Sequence, residues 1–206
     1  MRNSGQLFLF TLTIFVLPLF TGCGVGGKSS DSMGRFLFET DRVGTAVNAI
    51  GGNICVKTFE IASPFDSDCF VYKRANNDYE TDYYNRFVTC PDLLITQQCQ
   101  KWLEKSGIFS NVLSCSSAVT ADYILEGNVI SLYGDFSEEK PTFAVMQIRF
   151  FLIKETGDKA LVVFNKEYNE KIEVAAASPA DIVSGYDKCL ANILNSFEKD
   201  LGSLSF

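Results

Sequence analysis

Cys23 is the residue of this chain with the clearest chemistry. It follows a small residue, Gly22, at the end of an apolar run over residues 7–20 that Leu, Phe, Ile and Val dominate. A thiol in that position can be acylated after export, and cleavage before it makes Cys23 the new N-terminus. Arg2 is the only charge ahead of it. A short basic start followed by an apolar stretch too short to span a bilayer is typical of a secretory signal.

The segment Leu-Phe-Thr-Gly-Cys, residues 19–23, resembles a bacterial lipobox. We predict lipidation of Cys23, with residues 1–22 as the signal peptide and residues 23–34 as a lipidated flexible tether. The alternatives are an ordinary signal peptide with an incidental cysteine and a short membrane anchor. Because two or three acyl chains anchor stably, we expect a membrane-anchored lipoprotein facing the periplasm. Gly24 stands where such lipoproteins often carry Asp for inner-membrane retention, which favours the outer membrane.

The composition argues against several classes of site. The chain has 18 Lys and Arg against 25 Asp and Glu, and loss of residues 1–22 removes only Arg2, so the net charge falls from −7 to −8. An acidic chain without a basic tract is a poor binder of nucleic acid. Histidine is absent, which removes His-dependent triads, Cys–His pairs and His-ligated metals. We therefore expect no catalytic residues, no cofactor and no metal.

Six cysteines follow the predicted lipidation site. An even number in an exported protein permits a set of disulfides, whose pairing the sequence leaves open. Alternatively, several are buried thiols that pack as small apolar residues. Cys99 and Cys189 favour this second interpretation, because they lie within helical patterns on or beside the apolar face. The six are Cys55, Cys69, Cys90, Cys99, Cys115 and Cys189.

Two helices are predicted. Pro91 suits the first turn of a helix, apolar residues follow at helical spacing on one face, and Gly107 suits a left-handed cap. In the last helix, Ser178 is a natural N-cap, followed by Pro179 and Asp181. The last helix carries an apolar stripe that predicts packing against a sheet. The stripe is Ile182, Tyr186, Leu190, Ile193, Phe197 and Leu201.

Strand-like segments fill most of the space around these helices. A run of turn formers, residues 75–78, predicts a hairpin. Strands grouped between two helices favour an α+β fold, with a mainly antiparallel sheet and both helices packed on one face. Strands are predicted at residues 35–40, 53–61, 70–73, 81–88, 108–115, 121–133, 143–153 and 161–168.

Four segments resemble the ABC-type transport auxiliary lipoproteins, a family that includes the lipoprotein of the paraquat-inducible intermembrane transport system. They are Tyr-Asn-Arg-Phe-Val at residues 84–88, Ser-Gly-Ile-Phe at residues 106–109, Ala-Asp-Tyr-Ile-Leu-Glu-Gly at residues 121–127 and Asp-Phe at residues 135–136. Their order and spacing match the family across residues 35–201. The chain departs from it in its extra cysteines, its missing histidine and Phe87, where Trp is frequent.

The resemblance implies that residues 35–206 form a non-enzymatic auxiliary domain of an ABC-linked lipid transport system. The implied partners are an MCE-type (mammalian-cell-entry) bridging protein and the permease and ATPase of the same system, with the membrane held through the lipid. Self-association is left open. The rival function is a periplasmic lipoprotein that activates a cell-wall synthase or assists lipopolysaccharide or outer-membrane assembly, since fold alone does not separate these.

Two segments are candidates for contact with a partner. Tyr84 and Phe87 are either core or contact residues, and core is favoured. The 134–140 loop joins two strands and carries acidic side chains, so it predicts a basic patch on the partner. An enzyme built on the loop's carboxylates is disfavoured, because Lys140 and Pro141 indicate a solvated loop. Residues 121–127 are expected to be a strand in which Gly127 permits a bulge or close backbone approach.

Overall fold

A computed structural model describes residues 33–44, 48–157 and 159–204. The predicted signal peptide and the tether up to residue 32 lie outside these residues. Two short 3-10 turns, Ser63–Phe65 and Ala75–Asn77, accompany the strands and α-helices. The elements in chain order are β1 Gly34–Phe36, β2 Asn53–Val56, β3 Glu60–Ile61, β4 Cys69–Lys73, β5 Tyr79–Phe87, α1 Pro91–Ser106, β6 Asn111–Leu113, β7 Tyr123–Asp135, β8 Thr142–Glu155, β9 Ala160–Val174 and α2 Pro179–Gly202.

Both helices begin where the sequence predicts, and α1 also ends there. α1 starts at Pro91 and stops at Gly107, whose φ of 67° is the left-handed conformation that glycine adopts at low cost. At the start of α2, the hydroxyl of Ser178 accepts the backbone N–H of Asp181 at 3.2 Å. These local signals fix the helix ends independently of the sheet.

The apolar stripe of α2 is buried along its whole length. Its six predicted residues are at most 1 % exposed, and Phe197 stacks on Phe150 of β8 with ring centroids 4.3 Å apart. Gly185 allows the closest approach, because a Cβ there would lie 2.4 Å from the Cβ of Ala144. The expectation that this stripe is core is confirmed. Both helices contribute to a single buried cluster against the sheet.

The sheet is mixed, and the expectation of a mainly antiparallel sheet is wrong. Among the described residues, five strand pairings are parallel and three are antiparallel. The physical reason is the length of β7, whose one edge receives β2, β3 and β4 in succession, all parallel to it. Its other edge pairs with β8, which pairs with β9, and these long strands form an antiparallel meander.

Gly127 lies in the middle of β7 and admits an aromatic ring. The ring of Phe59 lies so close that a Cβ on Gly127 would be 2.6 Å from it. Phe59 also packs edge-to-face on Phe150 at 5.7 Å, and its N–H donates to Thr96 of α1 at 2.9 Å. At Gly127 the close neighbour is thus an aromatic side chain, where a bulge or a close backbone approach was expected, and the segment 121–127 has a structural role.

Residues 37–44, which we name the strap, run from β1 across both helices. The N–H of Thr40 donates to Gln98 of α1 at 3.2 Å. Further along, the guanidinium of Arg42 donates to both carboxylate oxygens of Glu198 of α2, at 2.7 and 2.6 Å. The indole N–H of Trp102 donates to the same carboxylate at 2.6 Å. The strap therefore joins the first strand to α1 and α2.

A half-buried carboxyl under the strap makes stability depend on pH. Burial raises the pKa of Asp187 to about 6, although the N–H of Glu39 donates to it at 2.9 Å. Because the folded pKa lies above the ordinary value of 3.8, the protonated form favours folding. This contribution is fully present below about pH 4 and is lost as the pH rises through about 6.

We expect Asp187→Asn to stabilise the protein at neutral pH, because the amide keeps an acceptor for Glu39 and removes the buried charge. The gain is about 1–2 kcal/mol at about pH 7.5, after allowance for solvent screening, and close to zero at about pH 4. Melting temperatures of both proteins at the two pH values measure it. An equal difference at both pH values would contradict the assignment.

One disulfide joins Cys55 of β2 to Cys115, which follows β6. The two Cα atoms are 5.1 Å apart and 60 residues apart in sequence, so the bond closes a long loop of the unfolded chain. Replacing both cysteines by Ala should lower the free energy of unfolding by about 2–4 kcal/mol. Denaturant unfolding measures the change, with Cys90→Ala as the control that removes an exposed thiol. A reductant that leaves the melting temperature unchanged would rule this out.

Candidate functional site

The predicted lipidation site, Cys23, lies outside the described residues, and its lipidation stays a prediction. The described chain starts at Met33, ten residues further on, and enters β1 at once. β1 therefore carries the chain from the predicted tether to the sheet, beside β5. In the described part of the chain, neither helix is both long and apolar enough to cross a membrane.

The aromatic-Arg-aromatic segment lies at the end of β5. Phe87 is 2 % exposed and packs on Phe70 and Phe38, with ring centroids 4.5 and 5.5 Å away. Tyr84 is 60 % exposed. The expectation that these rings are core is therefore right for Phe87 and wrong for Tyr84, because β5 leaves regular pairing around Tyr84.

Residues 83–85 bulge out of β5. They have no partner in β4, because Asp82 and Arg86 pair with consecutive residues of that strand. The carboxylate of Asp82 accepts the backbone N–H groups of Tyr84 at 2.9 Å and Asn85 at 3.1 Å, and the side-chain amide of Asn85 at 2.7 Å. One carboxylate thus organises the whole bulge.

The charge state of Asp82 suits this role. Burial raises the pKa of Asp82, but the hydrogen bonds from Asn85 and Tyr84 together outweigh burial and hold the pKa below its usual value. The carboxylate is therefore ionised at neutral pH and accepts these donors strongly. Bulges often lie beside binding sites because they redirect side chains. This one projects Tyr83 and Tyr84 into solvent.

The outer face of the β1–β5 edge collects exposed apolar side chains. Phe36 and Phe87 pair across this edge and pack on the core. Since side chains alternate along a strand, their neighbours face away from the core. Arg35 and Arg86, which pair in register, lie on this outer face. We name the exposed apolar and aromatic residues along this edge the outer patch: Met33, Leu37, Tyr83, Tyr84 and Val88, each 46 to 71 % exposed.

The start of the 134–140 loop is held by side-chain contacts within the protein. Asp135 is 7 % exposed, and its carboxylate accepts the ammonium of Lys171 at 2.8 Å and the hydroxyl of Ser137 at 2.6 Å. Burial raises the pKa of Asp135, but these hydrogen bonds outweigh it and bring the pKa to about 2. Asp135 is thus paired internally, which leaves Glu138 and Glu139 as the exposed carboxylates of the loop.

An open cleft of about 520 Å³ lies beside the exposed end of this loop. It is lined by Glu139 and Lys140 of the loop, by Glu173 near the end of β9 and by the three alanines of residues 175–177 ahead of α2. The lining combines small apolar residues with two carboxylates and one ammonium group, and it offers space for an extended segment that carries a basic side chain. The loop that the sequence nominates therefore adjoins a concave surface.

The surroundings of three free thiols raise their pKa. Cys99 and Cys189 are buried, as their helical positions predict, and burial raises the pKa of Cys99 above its usual range and that of Cys189 to about 12. Cys90 is exposed, yet partial desolvation and nearby carboxylates raise its pKa. These three thiols are protonated at neutral pH, the form in which a thiol is a poor nucleophile. In the described residues, no three Cys, Asp or Glu side chains are grouped closely enough to hold a metal ion.

Comparison with known proteins shows similarity in fold. No family model matches the chain, and no curated protein matches it. A protein of Xanthomonas campestris described as DUF330 matches with a TM-score of 0.68 and 14 % identity, over 79 % of this chain and 91 % of that one. An uncharacterized protein matches with a TM-score of 0.63 and 9 % identity, over 82 % and 99 %. A hypothetical protein of Chlamydia trachomatis matches at 0.53 and 7 %, over 73 % and 98 %. At these identities the chains share a fold.

Sequence reasoning missed the outer patch and the bulge. A signal was present, since Tyr83 and Tyr84 are adjacent aromatics that cannot both face the core of a regular strand. Asp82 directly before them is the residue type that caps irregular backbone. The strap was also missed, because its partners Gln98 and Glu198 lie far away in sequence.

Proposed function

We propose that this protein is a lipid-anchored component of an ABC-linked envelope transport system and acts by binding rather than by turnover. In this role it holds the MCE-type bridging protein of the system near a membrane. The observation that carries the proposal is the ordered set of four family-like segments behind a lipobox. The anchor contributes by confining both partners to one interface, which raises their effective concentration.

The positions of these segments in the fold support the proposal. Residues 84–88 lead into α1, residues 106–109 contain its last residue and its C-terminal cap, and residues 121–127 lead into and begin the central strand. Residues 135–136 close that strand and begin the exposed loop. The segments are therefore framework positions of one domain, spread from β5, next to the edge strand, to the middle of the sheet.

The disulfide supports an extracytoplasmic location. A bond between Cys55 and Cys115 persists in oxidising compartments and is rare in the cytosol. This agrees with export through the predicted signal peptide of residues 1–22.

The contact with the bridging protein is assigned to the cleft beside the 134–140 loop. Glu139 and Glu173 are the carboxylates that line it, and they favour a basic segment of the partner. Because exposed charges are screened by salt, this association should weaken as the ionic strength rises.

Photo-crosslinking in intact cells tests the partner. A crosslinking amino acid at Glu139 reports on the cleft, and the same group at Val162, 60 % exposed near the opposite end of β9, is the matched control. We expect an MCE-type protein to be recovered from position 139 and not from position 162. Recovery of only cell-wall synthases or lipopolysaccharide-assembly proteins would replace this proposal by the rival function.

Replacement of Cys23 by Ser tests the anchor. Because the thiol accepts the lipid, Cys23→Ser should abolish acylation and leave the protein released or unprocessed. Incorporation of labelled palmitate and membrane fractionation measure the effect, with Cys90→Ser as the control that removes another thiol. Undiminished palmitate incorporation in Cys23→Ser would exclude lipidation at this residue.

A further inference from the structure

The outer patch is an unusual surface for an acidic protein. Its five residues present apolar and aromatic side chains that are 46 to 71 % exposed, although the interior of the domain buries most of its large rings. Isolated exposed apolar residues are common, but a group of them along one edge of a sheet indicates an interaction surface. The patch has no part in the cleft assigned above to the bridging protein.

The patch lies where the tether joins the domain. Met33 belongs to it and is also the first described residue. Cys23 is ten residues upstream, and a chain of that length spans at most about 33–36 Å when fully extended. A lipid on Cys23 therefore limits the distance of Met33, and with it of the outer patch, from the membrane surface to about 33–36 Å.

The chemistry of the patch suits the headgroup layer of a bilayer. Tyr83 and Tyr84 combine an apolar ring with a polar hydroxyl, the combination that is enriched at membrane interfaces. Met33, Leu37 and Val88 add apolar surface that can enter the boundary between headgroups and acyl chains.

The charges on this face do not oppose such contact. Asp68 pairs with Arg86 at 2.8 Å, and Asp82 is engaged by the bulge. Arg35 is exposed on the same face. The overall net charge of the chain is negative, but the carboxylates of Asp68 and Asp82 are engaged within the protein.

We propose that the outer patch inserts into the headgroup layer of the membrane that holds the acyl chains of Cys23. The domain then lies on the bilayer in a fixed orientation and is not held by the tether alone. This inference rests on the lipidation in the proposed function. The bulge held by Asp82 prepares the surface, because it fixes the two tyrosines in their projecting positions before contact.

Radical footprinting of the full-length lipoprotein tests this. The acylated protein is reconstituted in vesicles of phosphatidylethanolamine and phosphatidylglycerol, oxidised by hydroxyl radicals and analysed by mass spectrometry. Tyr79 is the internal control, since it is 46 % exposed on the same strand but outside the patch. We expect oxidation of Tyr83 and Tyr84 to be roughly tenfold slower than their exposure relative to Tyr79 predicts.

A variant gives a second measurement. The double variant Tyr83→Ser with Tyr84→Ser weakens the contact of the outer patch with the bilayer. The oxidation rate of Met33 should therefore rise severalfold, while that of Tyr79 stays the same. Both substituted residues are exposed, so folding is expected to be retained, and an unchanged melting temperature confirms it.

The outcomes separate the two proposals. Absence of acyl mass on Cys23 rejects the lipidation and this inference with it. Acylated protein whose Tyr83 and Tyr84 oxidise in proportion to their exposure rejects this inference alone. Protection in native membranes but not in pure lipid vesicles also overturns it, because the patch then binds a protein.

Discussion

Glu198→Ala should lower the free energy of unfolding by about 3–5 kcal/mol, the largest effect that we expect from a single substitution. The carboxylate lies in an ion pair whose side chains are only 8 % and 5 % exposed, on Arg42 and Glu198 respectively. It accepts both the guanidinium of Arg42 and the indole N–H of Trp102. Its removal takes the counter-charge from a buried guanidinium, which is costly away from water.

An exposed ion pair is the matched control. Lys57 and Glu126 are joined at 2.7 Å but are 49 % and 41 % exposed, so Glu126→Ala should cost less than about 1 kcal/mol. Denaturant unfolding measures both variants. The double variant Arg42→Met with Glu198→Leu should recover much of the loss, because a buried pair is replaceable by apolar groups. Equal costs for Glu198→Ala and Glu126→Ala would contradict this account.

Leu190→Ala should cost about 2–5 kcal/mol of stability. Leu190 is fully buried in the middle of the α2 stripe, in the same cluster as Phe150 and Phe197 of the stacked pair. Truncation removes apolar contacts and leaves a cavity that the close-packed helix cannot readily collapse onto. Thermal unfolding measures the change as a lower melting temperature.

Leu161 offers a control of the same residue type. It lies on β9 and is 51 % exposed, so Leu161→Ala should change stability by no more than about 0.5 kcal/mol. If Leu190→Ala were equally mild, the stripe would not be core, and α2 would be better interpreted as a partner-binding helix.

The helices could be read from the sequence because their signals are local. In α2 the signals are the Ser178 cap, Pro179 and the apolar stripe, and all of them lie in the 24-residue helix or in the cap before it. In α1, Gly107 ends the helix by its own backbone preference. The long meander of β7, β8 and β9 was likewise predicted as strands, since each pairs with its neighbour in sequence.

Parallel pairing could not be read in the same way. Cys55 pairs with Ile124 and Tyr72 with Gly134. These partners are far apart in sequence, and no turn residue indicates that they pair. The predicted strand over residues 53–61 also divides into β2 and β3, because the chain must step along β7. Alternation indicates which face is buried but does not name the neighbouring strand.

The candidate surfaces were predictable only in part. The 134–140 loop was nominated correctly as a connection between strands, but its acidity was overestimated, because Asp135 is paired with Lys171, 36 residues away. Tyr84 was expected in the core because the sequence alone does not show the bulge that exposes it. That bulge depends on the pairing of Asp82 with β4. The position of the loop carboxylate and that of Tyr84 are both decided by contacts between residues that are not neighbours in sequence, a side-chain ion pair and a strand pairing.

The strap has a mechanical consequence for a protein held at one end. A pull on the tether along β1 loads the short parallel pairing with β5 in shear, and only three residue pairs resist it there. Directly behind them the force reaches Thr40 and Arg42, which are fastened to α1 and α2. Once the β1 pairing breaks, the tension is carried by these contacts to both helices. Detachment of the strap therefore requires breaking the ion pair between Arg42 and Glu198 in addition to the hydrogen bonds of β1.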